Sequence, residues 1–265
     1  MFVPKGSTFA AIAILFCAAG SLPAEEHVSS QRVYTTTGED AGRNLVIRLE
    51  RLRTVLQPVL ERRDARQSPV CIAAFGSRDE YQPYAPMSRS IGFFLSGARR
   101  DFIGMEDRSA VSRTAAHEWP HVVGGQDGLR LPAWLNEGLA ELFSNLEDGR
   151  SEPRTSVGQF IPCGIFWLRP DRWISLAELV SASENSEVFT SPGSVDSAYA
   201  ESWLLAHMLV LDPRYSENFP HLLSALEHSE TPEAFGTVYR KSVAQVEQDL
   251  IAYLEVVQTN GRVLE

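Results

Sequence analysis

Apolar positions follow two rhythms along this chain, and the change between them divides it. Residues 31–36 alternate in the manner of a short strand. Asp40 is placed to cap a helix, and Leu45, Leu49, Leu52 and Leu56 then recur every three or four residues along one face. Residues 69–75 form a compact apolar run, the mark of a buried strand. Residues 90–95 and 101–105 read as two strands joined through Ser96-Gly97-Ala98 as a hairpin. After residue 146 the character changes. Residues 147–162 are polar, contain Gly, Pro and Ser, and read as loop, as do residues 181–194. Ser175-Leu176-Ala177-Glu178 has the form of a capping box. Helices are predicted at about 196–211, 217–228, 232–239 and 243–256, with Thr231-Pro232 and the Ser242–Gln245 box marking two starts. The order predicts an α+β fold: a small N-terminal mixed or antiparallel sheet with helices over 25–146, and a helical lobe over 147–265.

Between these patterns lie two motifs that carry chemistry. In His117-Glu118-Trp119-Pro120-His121 the histidines are four apart, so on a helix they share a face and point at one ion. Glu118 is one step round that helix and reaches a water beside the metal. A catalytic zinc takes three protein ligands and keeps one position open. Glu137, in Trp134-Leu135-Asn136-Glu137-Gly138-Leu139-Ala140-Glu141, is the candidate third ligand. Taken alone, the first motif fits a surface helix with two histidines and a glutamate equally well. The second motif changes the balance. Pro132 suits the first turn of a new helix, and Trp134, Leu135, Leu139, Leu142 and Phe143 give it an apolar face. Gly124-Gly125-Gln126-Asp127-Gly128 has the composition of a loop. The 15 residues between His121 and Glu137 suffice for a helix end, a turn and a helix start.

HEWPH followed by LPAWLNEGLAELF resembles the gluzincin metallopeptidases, whose catalytic domain is thermolysin-like, and is especially similar to the DUF1570-type bacterial branch of peptidase MA-like proteins. Residues 33–37, Tyr199-Ala200-Glu201-Ser202-Trp203 and Ala234-Phe235 also resemble that branch, loosely. The resemblance implies a metallopeptidase holding one zinc per chain on His117, His121 and Glu137, with Glu118 as general base. It implies a peptide or protein substrate whose backbone pairs with an edge strand, here 101–105. It also points to Tyr199, or more weakly His207, as a stabiliser of the oxyanion; the plainer alternative for Tyr199 is an aromatic packed beside Trp203. Glu141 and Asn136 read either as supports for a ligand or as solvated helix positions. His221 and His228 read as surface residues. Gly104-Met105-Glu106-Asp107 lacks the spacing of an aminopeptidase amine-binding signature, which leans towards an endopeptidase.

One residue departs from the family pattern. Pro120 lies between the two histidines in a helix expected to begin near Asp107 or Ser109. There it removes the hydrogen bond to the Ala116 carbonyl and costs about 3 kcal/mol or bends the helix. A bend sets a second expectation, a catalytically inactive peptidase-like binding domain.

Composition adds location and excludes partners. Residues 1–24 read as a cleavable secretory signal, with Lys5, an apolar run over 9–19 and Leu22-Pro23-Ala24 before Glu25. A periplasmic or secreted protein is expected, with no stable membrane insertion after cleavage; the sequence sets no oligomeric state. Net charge is -10, which argues against nucleic acid as a partner. Beyond the leader the cysteines are Cys71 and Cys163, and a disulfide and two separate thiols are both open.

Overall fold

Six consecutive buried residues, Val70–Phe75, form the strand around which the first part of the chain is built. A computed structural model describes residues 31–60, 69–86, 88, 90–97, 100–106, 113–126, 130–144, 147–148, 155–156 and 166–260. The leader expected at 1–24, the helix start expected near 107–109 and Cys163 lie outside the described residues. The chain divides into two compact units, Met1–Leu56 with Arg63–Asp127 and Gln57–Arg62 with Gly128–Glu265.

The first unit holds β1 (Gln31–Thr35), α1 (Glu39–Leu60) as far as Leu56, β2 (Val70–Phe75), α2 (Arg78–Tyr81), β3 (Gly92–Leu95), β4 (Asp101–Glu106) and α3 (Arg113–Gln126). The sheet order is β1-β2-β4-β3. β1, β2 and β4 run parallel, and β3 returns antiparallel on β4, so the sheet is mixed. The continuous apolar run of β2 follows from its place between two strands, with both faces covered. α1 buries Leu45, Leu49, Leu52 and Leu56, and its first turn carries Glu39 and Asp40, which suit the positive end of the helix dipole. Gly38, at φ 106, makes the turn from β1 into α1 in a conformation that side chains resist. The 90–95 and 101–105 hairpin forms with Gly92 opposite Met105. The assignment of 101–105 as an edge strand is corrected: β4 is bonded on both sides, and the edge strands are β1 and β3, of which β3 contacts α3.

The second unit is helical: α4 (Ala133–Ser144), α5 (Leu176–Ser181), α6 (Glu187–Thr190), α7 (Val195–Leu211), α8 (Pro213–Ser216), α9 (Phe219–Leu226), α10 (Thr231–Tyr239) and α11 (Val243–Asn260). Between α4 and α5, Glu147–Asp148 and Thr155–Ser156 pair as a two-residue ladder inside the stretch expected as loop. The 181–194 stretch, also expected as loop, contains α6, which buries Val188 and Phe189. α7 is the central helix, apolar nearly all round, and packs on α4, α6, α8 and α11. Gly138 sets the α4–α7 approach: a Cβ there would stand 2.3 Å from the Ser202 carbonyl oxygen. Trp134, fully buried, satisfies its indole N–H on Thr231 Oγ1 at 3.0 Å. Of the two expected capping boxes, Ser242 and Gln245 are bonded reciprocally, and at the other the Ser175 side chain accepts from Glu178 N. Among the described residues no helix is long and apolar enough to cross a membrane.

Candidate metal centre

α3 is anchored by Ala115, Ala116, Trp119 and Val122, all buried, and it contacts β3 and β4. Anchoring that stripe leaves His117 and His121 half-buried on a neighbouring stripe. Their ring centroids lie 5.3 Å apart, with the planes at 78°. Pro120 is buried inside the helix, and the helix continues through it to Gln126, taking in Gly124 and Gly125 where a loop is expected. The lost N–H therefore does not end the helix between the two histidines.

Glu118 is 8% exposed and lies against the start of β3. A Cβ on Gly92 would stand 3.1 Å from Glu118 Oε1 and 2.4 Å from Thr114 Cγ2. Next to this contact is a group of polar side chains not singled out in the sequence. Arg78 Nη1 pairs with Glu106 Oε2 at 3.3 Å, and its guanidinium carbon lies 5.4 Å from the centre of the Tyr81 ring. The Tyr81 hydroxyl is 3.2 Å from Ser90 Oγ. Burial pushes that hydroxyl up to about 12; the Ser90 hydrogen bond opposes the rise, and the Glu118 charge adds to it. The available signal was Gly92 itself, since an isolated glycine in a strand often marks close approach of another element.

α4 carries Glu137, half-buried beside the buried Trp134, Leu135, Gly138 and Leu139. His117, His121 and Glu137 form a group able to hold a metal ion, their ligand atoms all lying within 4.8 Å of one another. Asn136 and Glu141 are half-buried on the same helix as Glu137.

The remaining candidates belong to the helical unit. Tyr199 is half-buried and meets Phe189 edge to face, with ring centroids 6.1 Å apart. His207 is 1% exposed, with Nδ1 2.7 Å from the Tyr253 hydroxyl and its ring 4.9 Å from that of Trp203, so it sits in the helical core. His221 and His228 are exposed. Glu201, on α7, is 1% exposed and accepts from Ile174 N at 2.8 Å. Burial pushes its carboxyl up to about 8; the Ile174 bond opposes this, and the charges of Glu247 and Glu178 add to it. Cys71 is buried, with Arg100 Nη1 3.6 Å from its sulfur. Neither a protein-family model nor a curated relative matches the chain.

Proposed function

We propose that this chain is an exported zinc-dependent metallopeptidase of gluzincin type, with a thermolysin-like catalytic plan and a DUF1570-type relationship. The observation that carries this is the His117, His121 and Glu137 group, with ligand atoms within 4.8 Å, beside the buried Glu118. Two imidazole nitrogens and one carboxylate oxygen are a donor set that zinc takes in hydrolytic sites. All three residues are half-buried, which keeps solvent within reach of a further coordination position.

A bound zinc supplies Lewis acidity, polarising a peptide carbonyl and making water easier to deprotonate. Glu118 takes the proton of the attacking water and delivers it to the leaving amine, so the carboxylate is regenerated in each turnover. Burial of Glu118 against Gly92 limits the rotamers it can adopt. β3, as the edge strand beside α3, offers its backbone groups to an extended peptide. Tyr199 remains the candidate for stabilising the oxyanion.

Zinc content of the purified protein, measured by elemental mass spectrometry, is the first test. About one zinc per chain is expected, lost in His121→Ala. Glu118→Gln should keep the zinc and abolish cleavage of denatured casein. A protein that takes up no zinc when supplied with it would sink the proposal. Zinc bound without cleavage, with activity appearing in Pro120→Thr, would favour the inactive binding domain instead.

A further inference from the structure

We propose that Arg78 is a positioning residue for Glu118, acting through Ser90 and Gly92; this rests on Glu118 being the general base, as proposed above. The contacts involved all lie within the first unit. Arg78 donates from Nη1 to the Ser90 carbonyl at 2.5 Å and from Nη2 to the Ser88 carbonyl. The Glu106 N–H donates to the Ile91 carbonyl at 2.9 Å. Ser90 Oγ donates to the Gly92 carbonyl at 2.5 Å and is itself 3.2 Å from the Tyr81 hydroxyl. Three consecutive carbonyls, those of Ser90, Ile91 and Gly92, are thus each held by a separate donor.

What these bonds fix is the backbone at Gly92. That backbone is the wall beside the Glu118 carboxylate, close enough that a Cβ would lie 3.1 Å from Oε1. A carboxylate confined in this way takes its direction from the wall. A general base needs placing to within about 0.5 Å of its working position, so play in the wall becomes play in the base. Arg78 governs that play because it holds two of the carbonyls leading to Gly92 and the carboxylate of Glu106, whose side chain is only 4% exposed. Removing Arg78 alone also breaks its ion pair with the buried Glu106, which destabilises the fold for a separate reason. The informative variant is therefore Arg78→Met combined with Glu106→Gln, with Ser90→Ala as a milder break in the same chain of contacts.

The test uses the full chain loaded with cobalt(II) and titrated with acetohydroxamate, followed by the visible spectrum of the metal. The probe ligates the metal and gives its proton to a correctly placed base, so its affinity reports where Glu118 stands. The double variant should take up cobalt as the wild type does and bind acetohydroxamate about tenfold more weakly. Ser90→Ala should fall between the two. The same double change should cause no further loss in the Glu118→Gln background. Wild-type affinity in the double variant, or an equal further loss in the Glu118→Gln background, would overturn the proposal. A wild-type chain that takes up no cobalt would instead remove the metal function by itself. Thermal unfolding without metal then decides the positioning contact. Gly92→Ala in a Thr114→Ser background should lower the midpoint, and Glu118→Ala should restore it; a loss that Glu118→Ala leaves unchanged overturns the contact and the proposal with it.

Discussion

Glu201 is an acid in a helix that is otherwise apolar nearly all round, and its burial has a consequence for stability. Its folded carboxyl is raised from the ordinary 4.5 to about 8, so the native state holds this proton more tightly than the unfolded chain does. The contribution to stability is therefore complete below 4.5 and is lost as pH rises through about 8. Ionised Glu201 would sit buried with Glu247 nearby; Glu247 Oε1 already accepts from Leu176 N at 2.8 Å and from Trp173 Nε1 at 3.1 Å. Denaturant unfolding should show lower stability at about pH 9 than at about pH 6. Glu201→Gln keeps an oxygen for the Ile174 N–H and should remove most of that difference. A slope unchanged in Glu201→Gln would show that other groups cause it. A different residue, Gly138, explains the glycine of the second motif without reference to metal: it admits α7, and any side chain there meets backbone.

At the scale of elements, Pro120 allows a helix's stability and its ligand geometry to be tested separately. α3 runs unbroken past a residue that cannot donate to the Ala116 carbonyl, and both imidazoles still converge. The effect expected of the proline is therefore a cost in stability rather than in ligand geometry. Pro120→Thr should raise the thermal midpoint and leave zinc affinity within about threefold of wild type. A large gain in affinity would mean that the proline does misdirect the histidines. Elements with many periodic positions were legible from sequence. The buried leucines of α1, the continuous apolar run of β2 and the hairpin of β3 and β4 all stand close to where their patterns place them. Helices α2, α6 and α8 were not, because four residues give one turn and no period to detect. Strand order was not legible either. β4 carries the same alternation whether it lies at an edge or between neighbours, and only its pairing with β2, across an intervening helix and strand, decides. The spacing of the candidate ligands was legible because it is local to each motif, whereas the Arg78–Ser90–Gly92 contacts join separate elements through backbone carbonyls that no motif encodes.

For the whole molecule, zinc should act as a stabilising ligand, and this can be separated from its general affinity for an acidic protein. A net charge of -10 attracts divalent cations weakly and diffusely, and that background survives any single substitution. A specific site adds a term that grows with the logarithm of free zinc, about 2.7 kcal/mol at a hundredfold excess over Kd. His207 is an unsuitable source of such a term, being buried and bonded to Tyr253, and His221 and His228 are exposed on the helical unit. The increase in unfolding free energy on adding zinc should therefore disappear in His121→Ala and in Glu137→Ala, and persist in Glu118→Gln, since Glu118 is assigned to the proton and not to the metal. An increase that survives in His121→Ala would place the stabilising ion elsewhere. Loss of the increase in Glu118→Gln would make Glu118 a ligand, and the division of labour between the two motifs would have to be redrawn.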